Sequence, residues 1–178
     1  AARRQSRFMA AHRTFLERDA SGRWRKRGDV DPDIRESKYA LGHYAGAAVN
    51  VWRGRSGKPL AEAPDDDIVV ITEGLEDALS VAFAYQAAAP RTPEGAIQYA
   101  GPRVLCAISI ANLANVALPP KIRDVRLAID NDGDNPQAAR QVERAVEAFD
   151  RQGRAVRLIR APAGAKDLNA ALIGPGAL

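Results

Sequence analysis

Cysteine and long apolar runs are what this 178-residue sequence most clearly lacks. The single cysteine, Cys106, can form neither an intrachain disulfide nor a four-cysteine zinc site, and its apolar neighbours predict a small core residue. No apolar run approaches the roughly 18 residues of a membrane span, and the N-terminus is too charged for a secretory signal. Because 46% of the residues are hydrophobic, the chain can build a core without disulfides. We therefore expect a soluble, cytoplasmic protein of one domain, or of one domain with a smaller appendage.

Charge is unevenly distributed along the chain. Residues 1–63 hold 14 Lys and Arg against 7 Asp and Glu, a net charge of +7, whereas residues 64–178 hold 12 against 15, a net charge of −3. Together with the turn composition of residues 53–64, this predicts a basic, β-rich N-terminal segment over 1–63 and an α/β domain over 64–178. A basic part suits the binding of a polyanion, although the Arg-rich composition of a GC-rich genome would give the same excess.

The basic segment contains a predicted hairpin. Residues 8–16 alternate as a strand does, residues 19–22 have turn composition, and a return strand begins at Trp24. Cations beside an aromatic ring suit a phosphate backbone and unstacked bases, but a solvated strand edge protected by Lys and Arg has the same signature. The candidates for contacts with nucleic acid are Arg13, Trp24, Arg25 and Lys26.

Between the hairpin and residue 53 the sequence gives local predictions only. Residues 28–37 have few apolar side chains and predict a loop, and short strands or a strand pair follow over 38–42 and 46–52. Lys38 and His43 are candidates for contact with a phosphate or a nucleotide, and each can equally be an ordinary surface residue.

From residue 65 onward apolar strands alternate with amphipathic helices. The predicted strands are 68–71, 104–108, 125–129 and 155–159. The predicted helices are 75–88, 110–116, one from Pro136 to before Gly153, and a short one opened by 166–169. Short connections between such elements imply a mainly parallel sheet covered by helices on both faces.

Acidic residues follow two of the predicted parallel strands. Glu73 follows the first, and Asp130 and Asp132 follow the third. Ligands bind at this edge of open α/β sheets, and carboxylates there suit Mg²⁺ or Mn²⁺, whose shells water and substrate phosphate complete. Asp134 is either a further ligand or an acid at a helix N-terminus. Zinc is not expected, since no Cys or His cluster lies nearby in the sequence.

Three short motifs, taken in order, resemble a known family. They are Glu73-Gly74, Asp130-x-Asp132 and Lys166-Asp167-x-Asn169. Over about residues 65–173 they resemble the Toprim domain shared by DnaG-type primases, topoisomerases, recombination-mediator proteins and certain nucleases. The run from Glu73 to Leu79 is most similar to the primase and primase–helicase branch, and the residues before it resemble the segment that precedes Toprim in phage- and plasmid-type primases. In one departure, Asn135 stands where the family pattern has glycine.

The resemblance implies a Rossmann-like Toprim fold and assigns roles to acidic and basic residues. Glu73, Asp130 and Asp132 become the catalytic residues and the main Mg²⁺ or Mn²⁺ ligands, and Asp167 becomes a further ligand. Lys166 becomes a phosphate contact. Asp77, one helical turn after Glu73, either supports the nucleotide site or is an ordinary acid of a helix N-terminus.

The function that the resemblance implies is primer synthesis during DNA replication. A metal-bound NTP would occupy the acidic site, and residues 1–63 would hold a single-stranded DNA template. The resemblance also implies a replicative helicase as a partner, contacted through regions that this sequence lacks. The sequence also lacks the zinc ribbon that primases of this type often carry. Two alternatives stay open: a Toprim nuclease that uses the same ligands with water as nucleophile, and a non-catalytic module that binds nucleic acid or nucleotides.

Overall fold

An eight-stranded mixed sheet forms the centre of the computed structural model, which describes residues 2–4, 7–91, 93, 101–131 and 133–173. The described strands are β1 (Ala2–Arg4), β2 (Arg7–Thr14), β3 (Leu16–Arg18), β4 (Trp24–Lys26), β5 (Lys38–Gly42), β6 (Ala48–Trp52), β7 (Ile68–Thr72), β8 (Arg103–Cys106), β9 (Asp124–Ile129) and β10 (Ala155–Arg160). The described α-helices are α1 (Arg27–Val30), α2 (Leu75–Ala87), α3 (Ile110–Leu113), α4 (Pro136–Asp150) and α5 (Leu168–Ile173).

The sheet has a parallel half and an antiparallel half. Its order is β10-β9-β7-β8-β6-β1-β2-β5, and the first four of these strands are parallel. The strands of the basic segment continue the sheet from β8 with antiparallel pairings. The predicted fold class is confirmed: a sheet with parallel strands flanked by helices, preceded by a small β-rich segment.

Local sequence explains why the parallel half forms. β7 reads Ile-Val-Val-Ile-Thr, and such β-branched side chains fit a strand that is covered on both faces. Pro136 occupies the first turn of α4, and the side chain of Asn135 accepts hydrogen bonds from the backbone N–H groups of Gln137 (3.1 Å) and Ala138 (3.2 Å). Gly153, at φ +71°, follows the end of this helix.

Helices cover the parallel strands on both faces. On one face, α3 and α4 pack over apolar side chains of β7, β8 and β9, with Leu113 and Phe149 fully buried. On the other face, Ala78 and Ala82 of α2 pack over Val104 and Cys106 of β8. None of the helices in the described ranges is both long enough and apolar enough to cross a membrane.

The structure differs from the predicted elements in the N-terminal half. The return strand is confirmed as β4, but among the described strands it pairs only with the short strand β3, while β2 pairs with β1 and β5. Residues 27–30 form the helix α1 where a loop was predicted from residue 28. The strands over 38–42 and 48–52 do not pair with each other, because β2 and β1 lie between them.

One predicted strand also ends early. β8 stops at Cys106, and Ile108 has a φ of +77°, which a β-branched residue rarely adopts. The backbone N–H of Ile108 donates to the Sγ of Cys106 at 3.3 Å. The chain therefore turns sharply away from the sheet at the point where the apolar pattern alone would continue the strand.

Candidate metal site and its surroundings

Two acidic residues leave adjacent parallel strands at the same edge of the sheet. Glu73 directly follows β7, Asp130 directly follows β9, and both are half-buried. Thr72 pairs with Ala128. Glu73 is one residue beyond this pair and Asp130 is two residues beyond it, so the two acids lie at nearly the same height along the neighbouring strands. From β7 the chain passes to β8 on one side, and from β9 it passes to β10 on the other. Open α/β sheets bind ligands at such a switch point.

The turn that carries Glu73 is held by its neighbours. The hydroxyl of Thr72 donates to the carbonyl of Gly74 at 2.8 Å, and the thiol of Cys106 donates to the carbonyl of Glu73 at 3.4 Å. Burial raises the pKa of Cys106 to about 11, which keeps its proton available for that bond. These bonds fix the direction in which the chain leaves β7.

The loop after β9 is fastened to the loop after β10. The backbone N–H of Asn131 donates to the carbonyl of Lys166 at 2.7 Å, and its side-chain amide donates to the carbonyl of Ala165 at 2.8 Å. The guanidinium of Arg160 donates to the carbonyl of Asp130 at 3.3 Å. Asn131 therefore brings the predicted Lys166–Asp167 motif to the edge that carries Asp130.

Asp77 and Asp167 meet at the start of α5. The carboxylate of Asp167 accepts from the backbone N–H of Ala170 at 2.6 Å, and that of Asp77 accepts from the N–H of Asn169 at 2.9 Å. Burial raises the pKa of Asp77; the bond from the N–H of Asn169 opposes this shift, and the charges of Asp167 and Glu76 add to it. Both carboxylates hold the beginning of this helix, and their predicted metal and nucleotide roles stay predictions.

The donor set fits a hard divalent cation. Within the described ranges no three His, Cys, Asp or Glu side chains gather as a metal cluster, and the predicted ligand Asp132 lies outside those ranges. Glu73 and Asp130 nevertheless offer carboxylate oxygens from adjacent strands, and Mg²⁺ is commonly held by one or two carboxylates together with water and phosphate. Asp134 is exposed, two residues before α4, so its predicted ligand role also stays a prediction.

Two lysines of the basic segment contact the first turn of α2. The Nζ atoms of Lys26 and Lys38 lie 3.2 and 2.8 Å from the two carboxylate oxygens of Glu76. Burial opposes the charge of Glu76, but the hydrogen bond from Lys38 and the charges of both lysines outweigh it and lower the pKa of Glu76. Lys26 and Lys38, predicted to contact nucleic acid and phosphate, are thus held beside the candidate site by a carboxylate.

Glu76 and Arg160 lie near the candidate site but were not among the predicted site residues. Glu76 lies 50 and 38 residues from its lysine partners, so no local spacing links them. Arg160 is the last residue of an apolar strand and carries no motif. Their positions were the one available signal. Glu76 is three residues after Glu73, which follows a predicted strand, and Arg160 is at the end of a strand.

The remaining predicted nucleic-acid contacts lie on the exposed surface of the basic segment. Trp24 is 61% exposed, and the guanidinium of Arg18 lies 4.9 Å from the centre of its ring. Arg25 contacts Asp19 at 3.2 Å across the turn, and the guanidinium of Arg13 lies 5.7 Å from the centre of the Phe15 ring. The structure thus presents Arg13 and Arg18 next to aromatic rings, and the predicted contacts with nucleic acid stay a prediction.

Comparison with known proteins identifies the family. The sequence model of the Toprim domain matches residues 68–177, and the chain therefore belongs to the Toprim family. The expected cofactor is consistent with this, since Toprim domains generally bind divalent metal ions.

Comparisons with solved structures and with curated sequences add one distant structural similarity. The structure is similar, with 16% sequence identity and a TM-score of 0.48, to the primase fragment of the bacteriophage T7 primase–helicase protein. The similarity covers 97% of this chain and 61% of that one, so this chain spans less than two thirds of its length. Comparison with curated protein sequences found no match.

Proposed function

We propose that this chain carries the catalytic core of a DNA primase, which joins nucleotides into a primer on single-stranded DNA. The observation that carries the proposal is the position of Glu73 and Asp130 at the switch point of the parallel strands, in a Toprim-family chain. The run from Glu73 to Leu79, which is similar to the primase branch, supports this function over that of other Toprim enzymes. The net charge of +7 on residues 1–63 supports a nucleic-acid partner.

The residues divide into metal-holding and phosphate-contacting groups. Glu73, Asp130 and Asp132 would hold the Mg²⁺ or Mn²⁺, which supplies positive charge for the attacking hydroxyl and the leaving pyrophosphate. Arg160 and Lys166, both exposed near Asp130, offer positive charge to the triphosphate. The protein then contributes position and electrostatics rather than covalent chemistry.

Further residues near the site, at the start of α5 and in the basic segment, would support the binding of metal and nucleotide. Asp77 positions the turn that carries Asp167, and Asp134 and Asp167 are proposed as further ligands. Lys38, whose Nζ is held 2.8 Å from the carboxylate of Glu76, keeps further N–H donors with which it can contact a phosphate of the nucleotide.

The test is primer synthesis by the Asp130→Asn and Glu73→Gln variants. Each change removes a carboxylate charge and keeps the shape of the side chain. We expect a loss of about 100-fold or more in synthesis on a labelled single-stranded template with NTPs and Mg²⁺ or Mn²⁺, because metal ligation contributes several kcal/mol to such reactions. Circular dichroism should show an unchanged fold.

The matched control is Glu147→Gln, which removes an exposed carboxylate on α4, away from the strand ends. It should synthesise primer at the wild-type rate. Synthesis that survives in Asp130→Asn and Glu73→Gln would refute the site. Cleavage of the template without NTPs, lost in the same variants, would identify a nuclease instead, and the lack of an Asp130-dependent Mn²⁺ site by calorimetry would identify a non-catalytic module.

A further inference from the structure

A cleft on the exposed surface of the basic segment combines aromatic rings with guanidinium groups. Its volume of about 340 Å³ lies at the lower end of the range for small-ligand pockets, roughly 300–1,000 Å³. Its lining residues are Arg13, Phe15, Arg27, Ile34, Glu36 and Tyr39. Apart from Arg13, none of these was predicted as a binding residue.

Backbone pairing places these side chains together. Arg13 and Tyr39 are opposite partners in the β2–β5 ladder, so their side chains project from the same face. Phe15 follows two residues after Arg13. Its N–H donates to the carbonyl of Ser37 at 2.8 Å, and its carbonyl accepts from the N–H of Arg27 at 2.9 Å. Phe15 is therefore fixed between the two chain segments that form the walls of the cleft.

The two rings keep surface open to solvent. Their centroids are 5.7 Å apart and their planes meet at 82°, an edge-to-face arrangement. Phe15 is 40% exposed and Tyr39 is 44% exposed. An unpaired nucleobase can stack on such a surface, because every base has a flat π-face.

The charged groups of the cleft suit both parts of a nucleotide. The arginines suit its phosphates, and the carboxylate suits a base that carries an amino group. The guanidinium of Arg13 lies beside Phe15, and Arg27 has one surface contact, 3.7 Å from Glu17, between half-exposed side chains. Such exposed pairs are weak, so Arg27 can exchange its partner for a phosphate. Within the described ranges Glu36 makes no hydrogen bond or ion pair. Its carboxylate can accept from the exocyclic amino group of cytosine or adenine, which thymine lacks.

We propose that this cleft binds one unpaired base of single-stranded DNA. Phe15 stacks on the base, Tyr39 contacts the edge of the base, Arg13 and Arg27 contact the flanking phosphates, and Glu36 favours cytosine or adenine over thymine. The choice of single-stranded DNA as ligand rests on the proposed primase function. The lining of the cleft includes neither Trp24 nor the carboxylates at the strand ends.

The test is direct binding of labelled oligo-dC, oligo-dA and oligo-dT, followed by fluorescence anisotropy without metal or NTPs. Phe15→Leu keeps an apolar side chain and removes the ring. We expect it to weaken binding of oligo-dC by about fivefold or more, since a base–aromatic stack contributes about 1–3 kcal/mol. The matched control is Phe83→Leu, which removes another exposed ring (51%) on α2 and should leave the Kd unchanged.

Glu36→Met tests the choice of base, because methionine keeps the length of the side chain and removes both acceptor oxygens. The ratio of the oligo-dT and oligo-dC Kd values cancels any general gain in affinity from removing a negative charge. We expect this ratio to fall by about fivefold, within the range for the loss of one base-reading contact. Oligo-dA should follow oligo-dC.

Each result decides the proposal. Equal Kd values for Phe15→Leu and Phe83→Leu would overturn the base-stacking site, and an unchanged ratio in Glu36→Met would overturn the selective role of that carboxylate. Because the assay contains neither metal nor NTPs, its outcome is independent of primer synthesis. A chain that binds as expected but makes no primer would refute the primase function alone.

Discussion

Glu76 joins the basic segment to the first turn of α2. It is three residues after the candidate catalytic acid Glu73, and its two oxygens contact Lys26 and Lys38, which come from different strands. The three side chains are partly exposed, so each ion pair contributes modestly to stability. Their arrangement nevertheless gives two lysines a fixed position next to the carboxyl end of β7.

Replacing Glu76 by Gln should reduce stability in a pH-dependent manner. The folded-state pKa of Glu76 lies below its ordinary value of 4.5, so its contribution is present above that pH and is lost as the pH falls through the folded-state pKa. We expect the variant to lose about 1 kcal/mol of unfolding free energy at neutral pH, and the difference from wild type to shrink in acid. Urea denaturation across pH measures this.

Glu143→Gln, an exposed change on α4, is the control and should show no such pH dependence. A difference between Glu76→Gln and wild type that stays constant down to acid pH would contradict the ionic role of Glu76.

The carboxylates that directly follow strands were predictable from the sequence, but the carboxylate that pairs with lysines across the fold was not. Glu73 and Asp130 were predictable, because an apolar run followed by an acid fixes both the strand and the edge at which it ends. The role of Glu76 was not predictable, since it consists of ion pairs with Lys26 and Lys38. These lysines come close only through the pairing of β2 with β5 and of β3 with β4.

At the scale of elements, a buried ion pair links the starts of β7 and β8. Arg103, the first residue of β8, is fully buried, and its guanidinium lies 3.0 Å from the carboxylate of Asp67, just before β7. The hydroxyl of Ser56 donates to the same carboxylate at 3.0 Å. The pair fixes the alignment of the two strands at the edge opposite Glu73.

Asp67→Ala should destabilise the protein by about 3–5 kcal/mol, because it leaves the Arg103 guanidinium buried without its counter-charge. Replacing both partners, as Asp67→Leu with Arg103→Met, should restore most of that loss, since the desolvated charges are then gone. Chemical denaturation gives both values.

The neighbouring change Asp66→Ala is the control. Asp66 pairs with Arg55 at the exposed surface, so its loss should cost about 1 kcal/mol or less. If Asp67→Ala cost no more than Asp66→Ala, the buried pair would not contribute as described.

Most elements of the parallel half were predictable, and most pairings of the basic segment were not. The cap at Asn135, the proline after it and the apolar stripe of α4 are all local signals. By contrast, Ala10 pairs with Gly42 across 32 residues, and the end of β8 depends on the unusual backbone of Ile108. Such features depend on tertiary contacts, which the local pattern does not encode.

At the scale of the whole molecule, the basic segment and the parallel strands share one hydrogen-bonded sheet. β6 pairs with β8, and the buried side chain of Asn112 binds both parts: it accepts from the N–H of Gly46 at 2.9 Å and donates to the carbonyls of Ala47 at 2.9 Å and Ala107 at 2.8 Å. Separation of the two parts would break the sheet and leave these groups unpaired.

Thermal unfolding should therefore occur in one transition. Both tryptophans, Trp24 and Trp52, lie in residues 1–63, whereas α2 to α5 lie beyond residue 74, so fluorescence follows one part and far-ultraviolet circular dichroism mainly the other. We expect the same midpoint by both probes, and a parallel decrease of both midpoints in Asn112→Ala. A fluorescence transition at lower temperature would show instead that the basic segment unfolds on its own.

Among the strands that the structure describes, β10 and β5 are the outer ones of the sheet. An outer strand presents unpaired backbone groups to which another copy of the chain can add. β10 carries exposed Arg157 and Arg160, and β5 begins with Lys38. Two copies that approach each other through β10 bring these arginines together, and the like charges disfavour pairing at that edge, whereas the charge of Lys38 is balanced by Glu76.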